Sequence, residues 1–384
     1  MSLAPEALMA AAESETGLSD YGSDSFREGL DRLTAALEGE AELNEMGLEI
    51  MRQRLVGHLA RRLGVHETIR QCPAIAEEEI RSPIFIIGLP RTGTTALSNL
   101  VSLDPQIRSL RMWESSNPVP PPEEATQDVD PRIEQAELGL TMMNEMFPEM
   151  RSLHFQTATG PTECQDLLGM EFRTTHFDGM AHVPSYTAWA MGCDMVPAYR
   201  QHRRTLQLLQ WHCPPRLWHL KTPVHMLSLD DMATAYPDAK FLWTHRHPAK
   251  VLASVCYLIA YCRSWVSERD DAIELGEQQV RLWAEALRRA LDFRDRMTGE
   301  GRVADVFFGD LNTDPVKTIE AAYDAIGLTM DTVARERMNA WGVDNARGTR
   351  GTHEYRLDQF GLDAAGVSER FAPYIERFGL EESA

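Results

Sequence analysis

No apolar run in the sequence approaches the ~20 residues that a membrane helix needs; stretches such as Ile84–Leu89 and Val251–Ala260 are far shorter. The N-terminus lacks a basic region followed by an apolar one, so the chain reads as cytosolic. Cysteine is sparse. The six residues Cys72, Cys164, Cys193, Cys213, Cys256 and Cys262 form no CxxC pair and have no His partners at zinc spacing, which leaves reduced structural thiols and no metal site. There are no internal repeats. Nor is there an excess of positive charge: 58 Asp and Glu oppose 38 Lys and Arg, a net charge of −20, so the surface as a whole repels nucleic acid and anionic membranes. An anionic ligand therefore needs a local positive trap.

What is present is an ordinary globular chain of 384 residues, 43% hydrophobic, with 25 Gly and 21 Pro. At ~150 residues per domain that length suits one large α/β domain with elaborations, or two domains. Within residues 1–50 twelve carboxylates face only Arg27 and Arg32, a segment that reads as a solvated helical arm. Leu30, Leu33 and Leu37, then Met51, Leu55, Leu59 and Leu63, recur at helical intervals and predict two N-terminal helices. The division this suggests is an acidic helical extension over 1–80 and an α/β domain over 81–384, with a helical insertion at about 117–212.

Ile84-Phe85-Ile86-Ile87-Gly88, bounded by Pro83 and Gly88, has the composition of a buried parallel strand. The chain turns over 88–93 and enters a helix from Thr94 to Leu100. Residues 117–131 carry five prolines and cannot form regular structure. From 141 to 200 methionines and aromatics are dense, among them Met143, Met146, Phe147, Met150, Met170, Phe172, Phe177 and Met180; either a helical core or the lining of an apolar substrate pocket explains them. Further strands are expected at Leu217–Lys221, Phe241–Thr244 and Val303–Phe308, each followed by a helical pattern, and helices at Leu275–Arg296 and Pro315–Ile326. Alternating strands and helices define an α/β fold, a three-layer α/β/α arrangement around a central parallel sheet. The segment 346–362, rich in Gly, Arg and aromatics, suggests an ordered loop over a site.

Gly88-Leu89-Pro90-Arg91-Thr92-Gly93-Thr94-Thr95 lies between a predicted strand and a predicted helix. There, successive backbone N–H groups and a helix N-terminus converge on a phosphate-like anion. Both glycines of the nucleoside-triphosphate loop GxxxxGK[ST] are matched, but Thr94 occupies the Lys position, which argues against an ATP or GTP hydrolase. A second strand, basic turn and helix follows in Phe241–Ser254. Arg246 ends the strand, where open α/β sheets bind ligands, and Ser254 follows two helical turns later.

This pair, GLPRTGTT and HRHPAKVLAS, resembles the phosphosulfate-binding loop and the 3′-phosphate-binding motif of sulfotransferases that use 3′-phosphoadenosine-5′-phosphosulfate (PAPS). WHLKTPVH at 218–225 is similar to the strand between them, and FFGDL at 307–311 and HEYRLDQFGL at 353–362 resemble later landmarks of bacterial members. The resemblance spans about Ile84 to Leu362 and leaves the N-terminal helices outside. It implies a P-loop-like loop in which Arg91, Thr92, Gly93, Thr94 and Thr95 hold the 5′-phosphosulfate, Arg91 standing where many members carry Lys. It implies that Arg246 and Ser254 hold the 3′-phosphate, joined by Arg347-Gly348 or Arg350-Gly351, and that Phe308 stacks on adenine. Ala96 replaces an aromatic residue common in the family, so the adenine clamp differs in part. Lys221 would neutralise the leaving oxygen, and the base that takes the acceptor's proton would be His225 or Glu163. His219, His245, His247 and His353 read as packing or capping residues. The implied reaction passes a sulfuryl group to a hydroxyl of a small, apolar acceptor such as a lipid, sterol or phenol, without a metal. A magnesium-dependent small-molecule kinase and a non-catalytic nucleotide-binding protein are the alternatives, and a homo-oligomer stays open.

Overall fold

The structure, a computed structural model, describes residues 2–214, 216–297, 301–344 and 355–381. Ile84–Gly88 (β1) is buried at every position, as a strand covered on both faces must be. It is the middle strand of a five-stranded, all-parallel sheet ordered β2-β3-β1-β4-β5, in which β2 is Ile107–Ser109, β3 Leu217–Lys221, β4 Lys240–His245 and β5 Val303–Phe307. Alternate residues serve opposite faces: Phe85, Ile87 and Trp243 pack into one apolar cluster, and Ile84, Ile86 and Leu242 into another. Helices cover both, giving the expected three-layer α/β/α arrangement. Four strands were legible as β-rich runs, whereas β2, three residues long, has too little pattern to announce itself.

The connectivity places the site. From β1 the chain passes outward to β2, returns through β3, and then crosses β1 to reach β4 and β5. The strand order thus reverses at the carboxyl end of β1, where open α/β sheets leave a crevice for ligands. The register sets Gly88 beside Thr244, and Ile86 beside Lys221, so the ends of β1, β3 and β4 meet on one edge.

The reading of residues 1–50 as a solvated arm is corrected. The two expected helices are present as α2 (Arg27–Gly39) and α3 (Glu45–Gln71), a further helix, α1 (Pro5–Thr16), precedes them, and the three build a second core. Leu8, Phe26, Leu30, Leu33, Leu55 and Leu59 are all fully buried, in one cluster with Phe172 and Phe177 from the helical insertion. A buried ion pair between Arg62 and Glu171 joins the two segments, and the remaining guanidinium donors reach the carbonyl oxygens of Tyr21 and Ser23, each at 3.0 Å. The charge excess of this region lies on the outer faces of amphipathic helices, so a tally of charges misses their inner stripes.

The insertion is helical, beginning with Pro131–Met146, whose Asp130 side chain accepts from the N–H of Arg132. Its methionines and aromatics divide between the two expected uses. Met170, Phe172 and Phe177 are core residues, whereas Met143, Met146, Phe147, Met150 and Met180 line a large cavity above the sheet edge.

Candidate active site

The loop after β1 is shaped by contacts that only glycine permits. Gly88 has φ +138°, and a Cβ there would stand 2.3 Å from Thr244 Oγ1. Gly93 has φ +91° and precedes the helix Thr94–Val101 (α4), with its absent Cβ 3.1 Å from the Phe308 ring. Arg91 also takes a positive φ, +64°, a conformation that costs a non-glycine residue energy and concentrates at functional turns. The loop is fastened from beneath by Thr92: its hydroxyl meets the Leu89 carbonyl and Thr244 Oγ1, each at 2.6 Å. Its side chain is therefore committed to the core, and of Thr92 only the backbone is left for the anion contact expected from the sequence. Pro90, Arg91, Gly93, Thr94 and Thr95 face the cavity.

The second motif arrives at the same place. Arg246, just beyond β4, donates from Nη1 to the Arg91 carbonyl at 3.1 Å and lies 4.0 Å from the centre of the Phe308 ring. Ser254, on the helix Pro248–Arg263, accepts from Arg91 Nε at 3.0 Å, and Arg91 Nη1 donates to the Leu153 carbonyl at 2.7 Å. Arg91 thus joins the loop after β1 to the segment from Arg246 to Ser254. Phe308 already carries a guanidinium against its ring, which adds a cation–π contact to the expected stacking platform.

Thr94, Ser254, Arg246 and Phe308 open on one cavity of about 950 Å³, large enough for a nucleotide and an acceptor together. Behind the lining residues Thr95 and Glu163, Lys221, almost fully buried, donates to Glu163 at 3.1 Å and lies 3.5 Å from Thr95 Oγ1. Glu163 also accepts from Thr222 Oγ1 at 3.2 Å and Gln165 Nε2 at 3.3 Å. Burial would raise the Glu163 carboxyl, but Lys221, His154 and the hydrogen bonds bring it down to about 2, so it is held as a carboxylate. Two further imidazoles line the cavity. Burial lowers both His154 and His176 to about 4; Lys221 and Arg91 also disfavour a charged His154, and Arg54 a charged His176.

Sequence reasoning missed His154, His176 and Arg54, which lie on a short helix end, a 3₁₀ turn and α3 with no shared motif to mark them. His225 is the converse correction. It follows Lys221-Thr222 in sequence, yet the turn Pro223–Leu227 exposes Pro223 and Val224 to the cavity and carries the His225 ring into the core. There it is fully buried, with Nδ1 2.9 Å from Tyr199 Oη and Phe85 edge-on, and burial holds it neutral. His219 bridges Ser98 and Ser109, His245 bridges Tyr374 and Asp305, and His247 caps its helix. Arg347, Gly348, Arg350, Gly351 and His353 lie outside the described residues. Among the described residues no group of His, Cys, Asp and Glu is placed to hold a metal ion, and no helix is long and apolar enough to cross a membrane.

The fold is of the three-layer α/β class, and the loop after β1 and the segment from Arg246 to Ser254 meet at the switch point of its sheet. The model of the sulfotransferase family matches residues 83–332, and the chain belongs to that family. Sulfotransferase STF1 from Mycobacterium tuberculosis H37Rv is 34% identical, with a TM-score of 0.87 over 96% of this chain and 98% of its own. Sulfotransferase STF9 from Mycobacterium avium is 28% identical, with a TM-score of 0.90 over 98% and 97% respectively. These similarities include the N-terminal helices, which the sequence resemblance left outside. No curated protein matches the chain.

Proposed function

We propose that the protein transfers a sulfuryl group in line from PAPS to the hydroxyl of an apolar alcohol, phenol or sterol-like acceptor. The observation that carries this reading is the convergence of two anion motifs, joined through Arg91, on one cavity whose far walls are apolar. In this reading the backbone N–H groups of the loop after β1, with Thr94 and Thr95, hold the 5′-phosphosulfate. Arg246 and Ser254 hold the 3′-phosphate by charge-assisted hydrogen bonds, and Phe308 flanks adenine. Bound there, the donor supplies the sulfuryl group and a phosphate leaving group. Lys221, poised 3.5 Å from Thr95 Oγ1, neutralises charge that develops on the departing oxygen. Glu163 fixes the ammonium in place.

Met143, Met146, Phe147, Met150 and Trp265 surround the far part of the cavity, and Phe147 stacks on Trp265 with ring centres 3.7 Å apart. Such walls suit an acceptor that buries carbon rather than one rich in hydrogen-bonding groups.

Differential thermal unfolding tests the reading. The product 3′-phosphoadenosine-5′-phosphate (PAP) is expected to stabilise the protein without magnesium, and more strongly than adenosine 5′-phosphate. Stabilisation by ATP with magnesium in place of PAP favours the kinase alternative and overturns the reading. Labelled PAPS offered with hydroxylated lipids, sterols, phenols and sugars then identifies the acceptor, and transfer confined to sugars refutes its apolar character.

A further inference from the structure

The sequence offered Glu163 and His225 as proton acceptors, and neither is well placed. His225 is walled into the core, and Glu163 spends its oxygens on Lys221, Thr222 and Gln165. A carboxylate so engaged holds a neighbouring cation well and accepts a proton poorly. A third group lines the same cavity, near Glu163, Lys221 and Arg91.

Resting on the PAPS reading above, we infer that His154 takes the proton from the acceptor hydroxyl and that Glu163 is a positioning residue for Lys221. His154 follows the short helix Met150–Leu153 and lines the same cavity as the loop residues Thr94 and Thr95 and the apolar walls. It is also tied to the donor side, because Arg91 Nη1 holds the carbonyl of the preceding residue, Leu153, at 2.7 Å. Among the described residues its ring nitrogens make no hydrogen bond, unlike the nitrogens of His219 and His245, which are engaged by structural partners.

The charged and titratable groups facing it are Glu163 from the loop before Gln165, Lys221 from the end of β3, Arg91 from the anion loop and His176 from the following 3₁₀ turn. Burial and the two cations keep the imidazole neutral at physiological pH, the form a base requires. In the step, the acceptor oxygen bonds to sulfur as the bond from sulfur to the bridging phosphate oxygen breaks. The hydroxyl proton passes to a His154 nitrogen, and the departing PAP carries the released electron pair as phosphate charge beside Lys221. The imidazolium then loses its proton to solvent.

Two measurements test this. The first needs no turnover: acylation of histidines by diethylpyrocarbonate, located by mass, with exposed His212 as the internal reference. PAP together with decan-1-ol is expected to slow modification of His154 at least tenfold, with His212 unaffected. Equal reactivity of His154 with and without both ligands overturns the assignment. The second is PAP formation from PAPS against pH, with decan-1-ol or water as the acceptor. His154→Gln is expected to lower kcat by about 10²–10⁴-fold, to leave PAP affinity within twofold and to abolish the rising acid limb, and imidazole is expected to restore rate to His154→Ala. Glu163→Gln is expected to keep that limb. If Glu163→Gln or His176→Gln removes the limb while His154→Gln retains near-wild-type kcat, His154 is not the base. If the wild type is not stabilised by PAP at all, the PAPS reading fails first, and this inference with it.

Discussion

The two ends of the cavity are built by different rules. In the proposed reading the donor end is made of strand tips, glycines with fixed dihedral angles and side chains each held by more than one partner: Thr92 is pinned to Leu89 and Thr244, Lys221 to Glu163 and Thr95, Arg91 to Ser254 and Leu153. The acceptor end is made of methionines and aromatics drawn from several separate helices and turns, together with Ile50 and Arg54 of α3. A site that must recognise one donor and stabilise charge gains from groups fixed in advance. A site that must hold a hydrocarbon surface needs only volume and adaptable walls. Mutations are therefore expected to act abruptly at one end and gradually at the other.

Gly88→Val is the most severe test of the rigid end. The new Cβ meets Thr244 Oγ1 in a backbone conformation that L side chains rarely adopt. A loss of about 3 kcal/mol or more is expected in urea unfolding, and a loss under 1 kcal/mol shows that the loop is softer than its contacts suggest. Arg246→Ala is next: titration calorimetry is expected to show PAP binding weakened about 30- to 150-fold, roughly 2–3 kcal/mol. Adenosine 5′-phosphate should lose far less, so equal losses for the two nucleotides would refute the placement of Arg246 on the 3′-phosphate. The smallest effect belongs to the adaptable end. Met143→Ala is expected to raise KM for an apolar alcohol roughly tenfold, about 1.4 kcal/mol, while PAP affinity stays within twofold. A change in PAP affinity as large as the change in KM would mean that the two ends are not independent.

The same division governs how much the sequence revealed. The two strand-turn-helix units were legible because each is local: a strand, a turn and a helix start are contiguous in GLPRTGTT and again in HRHPAKVLAS, and the sheet brings the two together by register. The acceptor end depends on how helices pack. Met143 and Met170 are equally apolar in sequence, yet one faces the cavity and the other the core. His225 misled because proximity to Lys221 along the chain says nothing about which way a 3₁₀ turn aims its third residue. His154 was silent because it belongs to no motif and comes near Glu163 and Lys221 only through tertiary structure. The N-terminal helices were misjudged for a related reason: twelve carboxylates conceal a stripe of leucines whose burial is decided by Phe172 and Phe177, more than a hundred residues away.

The packing of α3 has an evolutionary consequence. Because Ile50 and Arg54 line the same cavity as the loop after β1, a change near the start of the chain alters the shape of that cavity without touching the loop itself. Descendants of such a scaffold are free to reshape that cavity by substitution in a helix far in sequence from the loop after β1, and a truncation that took away the acidic helices through α3 would open part of its wall.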